Sequence, residues 1–173
     1  FFINTLFDAT FTLLGVVSGS AFVMHPDLRL IILTLVSSSI ALGISSGVSV
    51  YEAEILEGER RVEELENALI HKLEGTIHTE TLGRKAFIAS IVVFATPLFS
   101  CLIAISPFIF ARLGMLNTNM AGWISILLSL GTLTAVGAYM ARNGKSHPLL
   151  KGTRMAFFGG IAFLVGYLLE ILV

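Results

Sequence analysis

The chain has 173 residues, 55% hydrophobic and 13% charged, with a mean hydropathy of +0.87 and a formal net charge of −1. Soluble domains carry about 25% Asp, Glu, Lys and Arg, so this composition excludes a soluble enzyme, a disordered chain and a disulfide scaffold. The charge argues against a nucleic-acid binder, and the single cysteine, Cys101, has no intrachain partner. What remains is an all-α, polytopic membrane protein.

A helix needs about 20 apolar residues to cross a bilayer. Five stretches qualify, at residues 3–24, 29–51, 86–110, 121–141 and 154–173. The break at His25-Pro26-Asp27 joins the first two closely, and Leu116-Asn117-Thr118-Asn119 joins the third and fourth. The first stretch contains an acid and lacks a basic leader, so it reads as a span and not as a cleaved signal. The chain opens on Phe1, and residues upstream of it are expected. The chain accordingly divides into residues 1–51 with two spans, 52–85 with an acidic segment, and 86–173 with three spans.

The acidic segment holds Glu52, Glu54, Glu57, Glu59, Glu63, Glu64, Glu66, Glu74 and Glu80, whereas Asp8, Asp27 and Glu170 are the only other acids. From Tyr51 to Glu74 it has no Pro and one Gly, among good helix formers,. The spacing predicts that the second span continues as a helix, projecting roughly 35 Å at 1.5 Å per residue. Ile55, Val62 and Leu69, flanked by Leu65 and Leu73, form an apolar stripe,. Its expected cover is a second subunit or the segment leading into the third span.

Lys and Arg in short loops set orientation. Arg60, Arg61, Lys72, Arg84 and Lys85 follow the second span, and Arg142, Lys145, Lys151 and Arg154 follow the fourth. Only Arg29 and Arg112 fall on the other side. The split predicts a cytosolic N-terminus and acidic segment, with the C-terminus outside.

An Asp near mid-span costs about 2.5–3.5 kcal/mol on insertion scales, so such residues usually face a polar path. Asp8 is followed at helical spacing by Thr12, Gly15 and Gly19, a small and polar stripe that reads equally as a packing seam,. The second span carries Ser37, Ser38, Ser39, Gly43, Ser45, Ser46 and Gly47. That density allows close helix contact or lines a hydrated route. Pro97 and Pro107 in the third span each free a backbone carbonyl.

At about 100° per residue, Glu52, Glu59, Glu63 and Glu66 fall within roughly a 60° arc. Glu57–Arg61 and Arg60–Glu64 are spaced as i,i+4 pairs on the opposite side,. The first set is uncompensated, and a bound cation would relieve its repulsion. Oxygen-only ligands suit hard or borderline divalent ions, although a solvated charged face has the same pattern. His71, His78 and His147 read as polar surface. No glycine-rich phosphate loop, HExxH, CxxC or Ser/His/Asp set marks an enzyme.

Phe7-Asp8-Ala9-Thr10-Phe11-Thr12-Leu13-Leu14-Gly15-Val16-Val17-Ser18-Gly19 resembles the first span of the vacuolar iron transporter family. Ala41-Leu42-Gly43-Ile44-Ser45-Ser46-Gly47 running into Tyr51-Glu52-Ala53-Glu54 resembles that family's second span and glutamate-rich exit. Ile105-Ser106-Pro107-Phe108 and Gly152-Thr153-Arg154 resemble later segments in the same order. Leu42 stands where many members have Met, Ala9 where they have Gly, and the acidic segment is short and free of Met.

The resemblance implies a homodimer that exchanges cytosolic divalent metal, chiefly ferrous iron and sometimes manganese, for protons across a cell or storage-compartment membrane. It implies Asp8 on the pathway, and Glu63-x-x-Glu66 resembles the Glu-x-x-Glu pairs of the family's cytosolic metal-binding segment. Taken with the helix faces read above, the expected pathway is Asp8, Thr12, Gly43 and Ser46, and the expected metal ligands are Asp8, Glu52, Glu59, Glu63 and Glu66, with no tightly bound cofactor. The competing expectation is a non-transporting membrane protein whose long helix is a dimerisation or docking arm.

Overall fold

In hydrocarbon an apolar run can satisfy its backbone only as a helix or in a closed barrel, and runs of this length favour the helix. The computed structural model describes residues 1–23, 25–69, 77–142 and 147–172, of which 65–69, 77–82, 142, 148–149 and 170–171 are described by backbone alone. Among these residues there are five helices and no strand: α1 (Phe2–Ser20), α2 (Leu28–Leu69), α3 (Ile77–Arg112), α4 (Thr118–Arg142) and α5 (Pro148–Leu172). Each contains a stretch long and apolar enough to cross a membrane.

The turns follow from local chemistry. α1 stops at Ser20, four residues before the run expected from hydropathy, and Ala21 is its C-cap. Asp27 then caps α2, its Oδ1 accepting the Arg29 amide at 2.8 Å,. α3 ends in a Schellman motif, with Gly114 at φ +78°, its amide bonded to the Ala111 carbonyl and the Met115 amide to Phe110,. A side chain at Gly114 would strain that turn.

α2 has 42 residues and α3 has 36. At 1.5 Å per residue these are about 63 and 54 Å long, against a hydrocarbon core of about 30 Å. The continuation of the second span as one helix through Tyr51 and Glu52 is therefore present, and α3 also starts well before its apolar stretch. The boundary expected at 51/52 lies inside α2. α2 and α3 pack antiparallel: the Cys101 thiol lies 3.6 Å from the Leu35 carbonyl, and Gly43 and Gly47 lie against Phe94.

α1 sits between the others and touches all four. Leu13, Leu14 and Val17 are fully buried on it, alongside Ile31 and Leu35 of α2, Phe108 of α3 and Leu133 of α4. α5 lies outermost, with only 11% of its apolar stretch buried. Most buried hydroxyls are satisfied within the bundle: Ser125 donates to the Ala104 carbonyl at 2.7 Å, and Ser39 to Leu35 at 2.6 Å. Pro107 deprives the Ile103 carbonyl of its helical donor, and the Ser106 hydroxyl takes that place at 2.9 Å,. At the end of the bundle remote from Asp8, Phe22, Trp123, Phe163 and Tyr167 stack edge to face or in parallel, with centroids 5.1–6.3 Å apart,.

The α2–α3 contact yields a stability prediction. A Cβ at Gly43 would lie 2.8 Å from the Phe94 carbonyl oxygen, whereas one at Gly131 meets nothing within 4 Å. Gly43→Ala should destabilise by about 1–3 kcal/mol through overpacking. Gly131→Ala should be neutral or gain about 0.5–1 kcal/mol from helix propensity. Melting of both variants in detergent checks the contrast.

Candidate functional site

Residues one helical turn apart on α1 and α2 meet at one end of the bundle. Asn4, Thr5 and Asp8 of α1, with Phe1 beside them, face Ser45, Ser46, Ser49 and Val50 of α2 across a groove of about 250 Å³. Asp8 is exposed and lies about 9 Å along the axis from the start of α1 at 1.5 Å per residue,. Among the described residues no cation pairs with its carboxylate, since the only ion pair there is Glu57–Arg61. A carboxylate inside an apolar span, ringed by hydroxyls and an amide and lacking a counter-ion, can accept a cation or a proton. Its polar side-chain companions, Asn4, Thr5, Ser45, Ser46 and Ser49, offer oxygen donors apart from the Asn4 amide nitrogen, a set suited to hard or borderline metals.

The sequence-derived pathway residues are placed unequally. Ser46 lines the groove with Asp8. Thr12 is exposed one turn further along α1, but its hydroxyl donates to the Asp8 backbone carbonyl at 2.8 Å and not to the carboxylate. Gly43 points at α3, where it admits Phe94; its service is helix packing. Asn4, Thr5, Ser45 and Ser49, which also line the groove, were not among the expected pathway residues. Their signal was the i,i+4 spacing of Asn4 with Asp8 and of Ser45 with Ser49, which puts each pair on one helix face.

The uncovered face of α1 continues past Asp8. A Cβ at Gly15 or at Gly19 would meet nothing within 4 Å. Among the described residues of the chain, no side chain packs on the seam at these two glycines.

The acidic arm is less concentrated. Glu52, Glu59 and Glu63 are exposed, and the side chain of Glu66 lies outside the described ones. So do Leu65, Leu69, His71, Leu73, Glu74 and Glu80, while Ile55 and Val62 of the apolar stripe are half-buried. Glu52 opens with Tyr51 onto a different groove of about 660 Å³ between α2 and α3, shared with Phe87, Ile91 and Phe94. Among the described residues no three His, Cys, Asp or Glu side chains converge as a metal site. The Glu57–Arg61 pair forms as its spacing predicts. The Arg60–Glu64 pair does not: both side chains are exposed, and an exposed pair gains only about 0–1 kcal/mol, too little to hold two long side chains together.

Residues 52–170, more than half of the chain, match the model of the VIT family. The chain belongs to the vacuolar iron transporter family. Membership implies transport of metal ions across a membrane by a multi-pass integral protein, and the members are transporters and not enzymes. The matched stretch begins at Glu52, so the Asp8 groove stands on its own geometry. No curated protein and no solved structure matches the chain.

Proposed function

We propose that this family member exchanges cytosolic divalent metal, ferrous iron first and manganese second, for protons. The observation that carries the reading is the unpaired Asp8 carboxylate facing Ser45, Ser46 and Ser49 within the spans. A coupled exchanger needs a group that binds metal when ionised and is discharged by a proton, and a carboxylate does both. The hydroxyls replace part of the hydration shell of the ion without adding charge.

The functional unit is a homodimer. The bare α1 face, with Asp8, Thr12, Gly15 and Gly19, supports close approach of two α1 helices, small residues being the usual contact where helices meet in lipid. Two facing protomers would bring two Asp8 carboxylates and two hydroxyl sets around one route. Glu52, Glu59, Glu63 and Glu66 serve as the cytosolic loading surface. Because the described acids of one protomer do not converge, their role is collection of cations, with closer ligation left to acids contributed by both copies.

The Lys/Arg split supports a cytosolic acidic arm and, with it, this direction of transport. Cysteines introduced at Asn67 and Asn117, in a Cys101→Ser background, are expected to label from opposite sides of intact cells. Equal access to both would overturn the assignment. The activity itself is tested by Fe2+ or Mn2+ entry into vesicles containing the purified protein and a trapped metal-sensitive dye; entry at the rate of protein-free vesicles would refute it.

A further inference from the structure

A concavity of about 510 Å³ opens on the first turns of α5, lined by Leu150, Lys151, Thr153, Arg154 and Phe157. The spacing of 150, 154 and 157 puts an apolar, a cationic and an apolar side chain on one helix face, with Lys151 beside them. Leu150 is 71% exposed and Phe157 68% exposed. Both lie within the apolar stretch Leu150–Leu169, so the two cations sit where that stretch meets the membrane surface.

The charge here is one-sided. No Asp or Glu occurs between Glu80 and Glu170, so neither α4 nor the first five turns of α5 offers Lys151 or Arg154 a carboxylate. Among the described residues the only ion pair is on α2. The Arg154 guanidinium instead lies 5.9 Å from the Phe158 ring centroid, a cation–π contact that leaves its N–H groups available to an anion. The matching ligand carries a negative headgroup and a hydrocarbon chain. A soluble anion would leave Leu150 and Phe157 uncovered, and a zwitterionic lipid brings its own ammonium close to the cations.

We propose that this concavity binds an anionic phospholipid, with Lys151 and Arg154 on the phosphate and an acyl chain along Phe157. Basic pockets at the ends of membrane helices recognise lipid headgroups by this combination of charge and depth. The site is separate from the Asp8 groove and does not depend on the transport reading.

The test is native mass spectrometry of the purified protein after equilibration with equimolar phosphatidylglycerol and phosphatidylcholine. The unmodified protein should retain phosphatidylglycerol in preference, roughly thirtyfold for two interfacial cations. Lys151→Gln with Arg154→Gln should erase that preference, and each single change should reduce it, which keeps the test valid if the double variant fails to fold. Arg29→Gln with Arg112→Gln removes equal charge at the opposite ends of the helices and should leave it intact. Excess glycerol phosphate should not displace the lipid. Equal retention of both lipids by the unmodified protein, an unchanged preference in the Lys151 and Arg154 variants, or displacement by glycerol phosphate would each overturn the proposal.

Discussion

Asp8→Asn is expected to reduce metal/proton exchange to the rate of protein-free vesicles while the protein remains folded. Asn keeps the shape of Asp and can still hydrogen-bond to the groove, but it can neither ionise nor carry a proton. An ionised acid within a span costs up to about 2.5–3.5 kcal/mol, the value for the helix centre on insertion scales, so its neutral replacement should melt at the same temperature or higher. Loss of transport with retained or raised stability is the signature of a functional acid. Ser45→Ala with Ser49→Ala, on the facing wall of the groove, should weaken metal affinity yet preserve coupling, because the carboxylate remains. Near-normal exchange by Asp8→Asn would reduce Asp8 to an interfacial residue.

The second large effect concerns the arm. If Glu52, Glu59, Glu63 and Glu66 collect metal, divalent ions should stabilise the protein, by about 2.7 kcal/mol at 100 times the dissociation constant. Changing all four to Gln should remove that gain. Changing Glu57 and Glu64 should not, since both lie on the opposite side of the helix from the other four and Glu57 is paired with Arg61. The contrast between the two sets is the informative quantity, because any acidic surface attracts cations weakly. Equal losses from both sets would indicate diffuse screening, and the absence of stabilisation in the unmodified protein would leave the arm as a dimerisation or docking device. Thermal melts with and without Mn2+ at fixed ionic strength decide among these.

The five spans were legible because hydropathy over about 20 residues and the need to satisfy every backbone group in lipid leave few alternatives. The long second helix was legible for a local reason, the run of helix formers from Tyr51 with a Pro-free exit. The early start of α3 was not, since Ile77–Lys85 carries no apolar stretch to announce it.

Within the candidate site, Asp8 stood out by cost alone, and Ser46 by its place in a polar run. The direction each residue faces depends on how α2 is rotated between α1 and α3, which periodicity does not fix when small residues occupy several faces. Gly43 therefore read as pathway and packs on Phe94, whereas Ser49 lines the groove without having been singled out. Arg60–Glu64 shows a further limit: correct spacing permits an ion pair, but water competes for both partners.

Whether metal and proton move in exchange through one protein is tested most directly by a two-dye measurement in proteoliposomes with an acidic lumen. One trapped dye reports divalent metal and the other reports lumenal pH while Fe2+ or Mn2+ is added outside. The account predicts metal entry accompanied by lumenal alkalinisation, slowed when an ionophore collapses the gradient and absent in both channels for Asp8→Asn. Metal entry at a rate indifferent to the gradient, with lumenal pH unchanged, would contradict it.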